Sequence, residues 1–146
     1  MSLIQSATAK RRSTPPVPQQ AGLIAMAVFS HSFTKAFTAA TDLLEIGLLP
    51  ATAQLVGATV IGEGLGAITA DIGLMDGEAG DYDETRNSGT ELFNDASVNN
   101  TEINATLKTC LAVAKSNSHR GIGVILSGNV TAGAGKKITV AIQYTY

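Results

Sequence analysis

Hydrophobic and polar residues alternate with a period of two along residues 67–75. Four apolar side chains share one side of this segment: Ile68, Ala70, Ile72 and Leu74. The period is typical of a β-strand with one buried face. Residues 55–61 predict a second strand, and residues 62–66 between them contain three glycines, which favours a turn. We therefore expect these two strands to form a pair around which the chain is built.

The same pattern predicts further short strands. They are expected at residues 22–33, 43–49, 90–93, 107–114, 122–126 and 138–146. Residues 107–114 also fit a helix, but a helix of that length would be marginal alone, so a strand is preferred. Residues 94–104 are expected to form a polar loop with room for one helical turn. About eight strands separated by glycine-rich turns predict an all-β fold, an antiparallel β-sandwich or barrel.

Composition adds a hint about partners. The chain of 146 residues suits one domain, and its charged fraction of 15% is low beside the ~25% of an ordinary soluble protein. Some exposed surface is therefore expected to be covered by other chains. The alternative is that small residues, alanine and glycine, inflate the apolar fraction of 45%. A formal charge of −2 gives no reason to expect nucleic-acid binding.

The first twenty residues differ from the rest, so we divide the chain into an extended N-terminal arm, residues 1–20, and a β-sandwich domain, residues 21–146. The arm combines a basic cluster with three prolines, which disfavours a helix. It is either a disordered tail or a strap that becomes ordered on an acidic surface of another chain. The candidate partner-binding residues are Leu3, Ile4, Lys10, Arg11, Arg12, Pro15, Pro16, Val17 and Pro18.

Residues 76–84 carry five carboxylates in nine positions. Such density is compatible with a solvated loop, with a contact for basic residues of a neighbouring subunit, or with calcium binding. The spacing differs from the alternating acidic pattern of an EF-hand loop, so calcium is the weakest of the three interpretations.

The sequence offers little for catalysis. His31 and His119 stand in unrelated contexts, and the glycines of residues 133–137 lack the spacing of a phosphate loop. Cys110 is the single cysteine, so an internal disulfide is excluded and a small core residue is expected. We therefore expect no enzyme, no metal, no cofactor and no small-molecule substrate.

The chain contains no apolar run of the ~18 residues that a membrane span needs. Its basic cluster follows a short apolar stretch, whereas in a secretory signal basic residues precede a long one. No contact with a membrane is therefore expected.

Several strings resemble the small capsid cement, or decoration, proteins of tailed bacteriophages. They are Leu49-Pro50-Ala51, Val56-Gly57-Ala58, residues 69–77, residues 120–124 and residues 133–140. The resemblance implies a jelly-roll protein on the outer surface of an icosahedral phage head, assembled in the host cytoplasm. It implies binding to the major capsid protein, bridging of neighbouring capsomers, stabilisation of the shell, and association with itself as a dimer or trimer, without direct contact to nucleic acid.

Two other functions share the predicted fold. A tail-fibre or receptor-binding jelly-roll module of a phage virion would be expected to show exposed aromatic residues or a repeated stalk, and the sequence has neither. A metal-dependent enzyme of the cupin type would need several histidine and glutamate ligands, which two isolated histidines do not supply.

Overall fold

The computed structural model describes residues 2–6, 9–10 and 23–146, and strands dominate this part of the chain. The described residues contain nine strands and one short helix. In chain order these are β1 (Ser2–Gln5), β2 (Ala25–Ser32), β3 (Asp42–Leu49), β4 (Gln54–Glu63), β5 (Thr69–Leu74), β6 (Phe93–Ser97), β7 (Glu102–Asn104), α1 (Leu107–Leu111), β8 (Arg120–Leu126) and β9 (Lys137–Thr145).

The strands form two sheets that pack face to face. One has five strands in the order β1-β3-β8-β5-β6, and the other has four in the order β2-β9-β4-β7. Neighbouring strands are antiparallel except β1 and β3, which are parallel. The prediction of an all-β, jelly-roll-like sandwich is confirmed, with nine strands among the described residues rather than about eight.

The main core lies between the sheets and is formed by the side chains of alternate residues along the strands. Along β9 the side chains of Ile138, Val140, Ile142 and Tyr144 are fully buried, and those between them face outward. The sheets also meet closely at Gly47 of β3. A Cβ atom there would lie 2.4 Å from Cγ of Phe29, so glycine lets the aromatic ring of β2 pack on the β3 backbone.

The predicted pairing of residues 55–61 with residues 67–75 is wrong. Both segments are strands, but β4 belongs to the four-stranded sheet and β5 to the five-stranded sheet. The glycine-rich connection carries the chain from one sheet to the other, with φ of +67° at Gly64 and +77° at Gly66. Alternation identifies the buried face of a strand, and it leaves the neighbouring strand undetermined.

The predicted strand at residues 107–114 is also wrong, because this region forms the short helix α1. Thr106 caps it, its Oγ1 accepting a hydrogen bond of 3.2 Å from the backbone N–H of Thr109. Cys110 is buried in the core, whereas Leu107 and Leu111 are more than half exposed. Burial raises the pKa of the Cys110 thiol, and the residue is the small core residue that the sequence predicts.

Residues 94–104 are not a loop with a helical turn, since they contain most of β6 and all of β7. The predicted strand at residues 90–93 begins three residues later, at Phe93. Polar residues dominate both strands because each lies at the edge of a sheet, where solvent covers one side.

The N-terminal residues join the body of the protein. Strand β1 pairs with β3 in a register that sets Leu3 beside Leu43 and Ile4 beside Leu44. Leu3 packs with Leu43 and Met75 in a small second cluster, whereas Ile4 packs on the main core. The first described residues therefore belong to the five-stranded sheet, inside the range that the sequence assigns to an arm.

The outer face of the five-stranded sheet is covered by residues 75–92, which we call the covering loop. Glycines on the strands make room for it. A Cβ atom at Gly121 would lie 2.9 Å from Nη2 of Arg86, and one at Gly123 would lie 2.3 Å from Oγ of Ser88. At Gly73 it would lie 2.4 Å from the backbone of Gly89. Larger residues at these positions would occupy the space that the covering loop fills.

A buried ion pair fastens the covering loop to the sheet. An Nη2 hydrogen of Arg86 is donated to Oε2 of Glu45 at 2.5 Å, and the two side chains are 2% and 0% exposed. Arg86 also donates to the backbone carbonyls of Asp76 and Asp81, each at 2.8 Å. The second carboxylate oxygen of Glu45 accepts from the Gln5 amide at 2.6 Å. The pair thus joins β1, β3 and the covering loop.

No helix in the described parts of the chain is long and apolar enough to cross a membrane.

Replacement of Arg86 by Met should lower the free energy of unfolding by about 3–5 kcal/mol, because Glu45 would remain buried without its counter-charge. Urea denaturation measures this change. The matched control is Lys137→Met, which breaks the ion pair of Lys137 with Glu63, where both side chains are 47% exposed. That change should cost no more than about 1 kcal/mol. Equal losses in the two variants would contradict the role given to the buried pair.

Candidate interaction surfaces

An exposed row of large apolar residues lies on β2 and the two described residues before it. We call it the apolar strip. It consists of Leu23, Ile24, Met26 and Val28, which are 51%, 64%, 53% and 59% exposed. The alternation along β2 produces it, since Ala27 and Phe29 face the core and their neighbours face outward. Four of the seven large hydrophobic residues that are exposed in the described chain are in this strip.

The strip continues into the outer face of the four-stranded sheet. Strand pairing places Val28 next to Ala141 and Ala141 next to Thr59, so small uncharged side chains flank the strip. At one end of this face Lys137 and Glu63 form an ion pair at 3.2 Å. The paired residues between the strip and this ion pair are uncharged, and they suit contact with another protein rather than with an ion.

A groove of about 500 Å³ runs along β1, on the other edge of the sandwich from β6. Its walls include Leu3, Ile4, Lys10, His31 and Tyr82. Burial, and secondarily the charge of Lys10, lowers the pKa of His31. The ring of His31 packs edge-on against Phe33 with centroids 5.0 Å apart.

The structure brings together three of the candidate partner-binding residues. Leu3, Ile4 and Lys10 all line the groove along β1, and Lys10 is exposed there. Leu3 is only 5% exposed, so its side chain is covered by its own sheet. The remaining candidates lie outside the described residues: Arg11, Arg12, Pro15, Pro16, Val17 and Pro18. Their role in partner binding stays a prediction.

The acidic residues 76–84 lie in the covering loop, where carboxylates form local hydrogen bonds. An oxygen of Asp76 accepts from the backbone N–H of Asn87 at 2.6 Å, and one of Asp83 accepts from the N–H of Thr85 at 2.9 Å. The hydrogen bonds to Thr85 are the main cause of a lowered pKa at Asp83. These oxygens order the loop, and a role for the acidic residues toward a neighbour stays a prediction.

Within the described ranges, no group of three or more His, Cys, Asp or Glu side chains is arranged to hold a metal ion. The two histidines are apart, and Nδ1 of His119 accepts a hydrogen bond from the backbone N–H of Ala51 at 3.0 Å. The surfaces that stand out among the described residues are therefore the apolar strip and the groove along β1.

The sequence signalled the apolar strip only in part. Alternation in residues 22–33 was visible, but the early residues of this segment are apolar on both faces, which suggests burial instead of exposure. The groove along β1 depends on the distant residues His31 and Tyr82, and no local pattern in the sequence indicates it.

No protein-family model matches this chain, and the search of curated proteins gave no significant match. Among solved structures, the chain is similar to a protein in the capsid of Ralstonia phage GP4, with 34% identity and a TM-score of 0.89. The match covers 99% of this chain and 97% of that one.

Two more distant structures share the fold. One is from the capsid asymmetric unit of cyanophage Pam1, with 20% identity, a TM-score of 0.56 and 92% of each chain covered. The other is from the acid-stable capsid of the Helicobacter pylori bacteriophage KHP30, with 11% identity and a TM-score of 0.52, covering 87% of this chain and 90% of that one. At these identities the likeness concerns the fold alone.

The match to the Ralstonia phage protein extends over nearly the whole length of both chains and includes the β-sandwich, the arrangement that carries both surfaces. A chance likeness at 34% identity over that length is excluded, so the chain belongs to the family of phage capsid proteins to which that protein belongs, and it is a structural protein of the virion.

Proposed function

We propose that this chain is a cement protein that binds the outer surface of an icosahedral phage head, bridges neighbouring capsomers and stabilises the shell. Its partner in this proposal is the major capsid protein. The observation that carries the proposal is a full-length match to a phage capsid protein by a chain whose sandwich is complete within one polypeptide.

A completed sandwich supports addition to a shell that already exists. The inner faces of both sheets are buried against each other, and the covering loop closes the outer face of one of them. Such a body needs no neighbour in order to bury its core. It can fold in the host cytoplasm and bind afterwards, which is what a reinforcing protein requires.

The exposed surfaces support contact with other chains. The groove along β1 places Lys10 at an open edge, and Arg11 and Arg12 follow it in the sequence. Three adjacent positive charges suit an acidic patch of the shell. An interface of roughly 1,600 Å² for each copy, repeated over a head, would reinforce the shell without any single tight site.

Purified protein should bind to heads assembled without it and raise the temperature at which those heads rupture. The expected measurement is a shift of the rupture temperature by several degrees, followed by a fluorescent dye for released DNA, with electron microscopy locating added density outside the shell. Failure of shells to form in the absence of this chain would contradict the proposal, because the chain would then be a subunit from which the shell is built.

Replacement of Lys10, Arg11 and Arg12 by Ala should weaken binding to such heads about tenfold at low salt, with a smaller effect at high salt because ions screen the attraction. Cosedimentation at increasing salt measures the affinity. The matched control replaces Lys108, Lys115 and Lys136 by Ala, which removes the same charge elsewhere. The same loss of affinity in both variants would show that net charge alone matters and would contradict the assigned contact.

A further inference from the structure

We propose that the groove along β1 binds an extended, acidic segment of another polypeptide, which adds to the five-stranded sheet as a further strand beside β1. The inference rests on the proposed function for the source of that segment, the major capsid protein. It goes beyond the proposed function in naming the form and the chemistry of what the groove holds.

The backbone of β1 has an open edge. Among the described residues β1 is the last strand of its sheet and pairs only with β3. Ser2 and Ser6 donate their N–H groups to backbone carbonyls in residues 41–45, each at 2.9 Å, so the even-numbered residues of this segment face β3. Backbone groups of successive residues in a strand point to opposite sides, and the N–H and C=O groups of Leu3 and Gln5 therefore point away from β3.

The groove lies along this open edge. It contacts all four residues of β1 and only the first residue of β3, Asp42. The connection that follows β2 also lines it, where Thr34 and Ala36 are small. An extended chain rises ~3.3 Å per residue, so four residues paired with β1 would span ~13 Å. The groove, with a volume of about 500 Å³, has room for one such segment.

Strand β1 lacks most of the features that keep edge strands from pairing with other chains. It contains no proline and no charged residue, and its pairing with β3 has no register shift. Its length of four residues is the restraint that remains, since a short edge offers few hydrogen bonds. A partner therefore needs a second source of affinity besides backbone pairing.

Two lysines supply that affinity. Lys10 and Lys35 line the groove, and both are exposed. The ion pairs among the described residues use other cations, Arg86 and Lys137. His31 adds no charge at neutral pH, because its pKa is lowered. Both lysine ammonium groups are therefore available to carboxylates of a partner.

The acidic residues around the groove make the two lysines unequal. The carboxylate of Asp42 accepts hydrogen bonds within its own turn, at 2.8 and 3.2 Å. Lys10 also borders a recess with Glu78 and Asp81, whose negative charges offset its own. Lys35 does not line that recess, so it should contribute more to the attraction.

These features together select an extended acidic polypeptide. The open edge offers alternating hydrogen-bond donors and acceptors, which the backbone of an extended polypeptide matches. The lysines favour carboxylates among the side chains of that strand. A nucleic acid would satisfy the lysines and leave the backbone edge unused.

A synthetic peptide tests the inference on the full chain. The probe is a fluorescent eight-residue peptide in which glutamate alternates with valine, and fluorescence anisotropy measures its binding. Glutamine in place of every glutamate should weaken binding about tenfold. N-methylation of the central amides should remove detectable binding, because the peptide could no longer pair as a strand. Equal binding of the N-methylated peptide, or of single-stranded DNA with the same charge, would overturn the inference.

Two changes at one position isolate the backbone contact. Gln5→Pro removes the N–H group on the open edge together with the side-chain hydrogen bond to Glu45, whereas Gln5→Ala removes only the side-chain bond. The two variants should melt at similar temperatures, and the Pro variant should bind the peptide at least ~10-fold more weakly than the Ala variant. Equal affinities would overturn the inference.

A charge variant leaves the backbone untouched. Lys35→Gln should weaken binding of the acidic peptide about fivefold, and Lys10→Gln should weaken it less. The matched control is Lys108→Gln, which removes an exposed lysine of α1 and should leave the affinity unchanged. The same loss in the control and in Lys35→Gln would overturn the inference.

The outcomes separate this inference from the proposed function. Protein that binds the acidic peptide along β1 and does not bind heads would support the groove as a strand-binding site and contradict the cement function. Protein that binds heads and not the peptide would leave the function standing and overturn the inference. A peptide that binds the groove without competing with heads would also overturn it, because the shell would then not supply the segment.

Discussion

The ion pair between Arg86 and Glu45 is the interaction on which the described architecture depends. It lies on the outer face of the five-stranded sheet, which would contact solvent without the covering loop, and it holds that loop in place. Two buried charges are costly to desolvate, so the pair alone adds little to stability. The main effect of the pair is to fix the position of the loop, because the backbone carbonyls of the loop and the amide of Gln5 complete its hydrogen bonds. All of these groups are satisfied together in the observed placement of the loop.

This constraint makes the two sheets unlike each other. The five-stranded sheet is covered by its own chain on both faces around β3, where every described residue except the first is buried. The four-stranded sheet has one covered face, and its other face carries the apolar strip. In a virion protein with this asymmetry, one side is covered by the chain itself and another side is exposed and available to neighbouring proteins. The low charged fraction of the sequence agrees with such a division.

Much of the fold could be predicted because a strand with one buried face leaves a period of two, as β9 does with fully buried Ile138, Val140 and Ile142. The pattern failed at α1, where a capping threonine begins a helix in a segment too short for periodicity to be reliable. It also failed for the partner of β4, because alternation is a property of one strand and pairing is a property of two.

The covering loop was harder to predict, although two signals were present. Glu45 interrupts an otherwise apolar run that is expected to be buried on both sides, and a buried carboxylate requires a partner. Gly121 and Gly123 alternate in a strand, as glycines do where other groups pack closely on its backbone, here the side chains of Arg86 and Ser88. Neither signal names Arg86, which is 41 residues from Glu45 and follows a segment that reads as a solvated acidic loop. The groove and the strip likewise depend on tertiary placement.

Hydrogen–deuterium exchange of the free protein and of the protein on phage heads tests this division of surfaces most directly. Amides of the covering loop, such as those of Met75 and Gly89, should exchange slowly in both states, because their hydrogen bonds to Gly121 and Leu74 form within one chain. Amides of β2 should gain protection on the heads. A covering loop that exchanges freely until the protein is bound, with β2 unchanged by binding, would contradict the account.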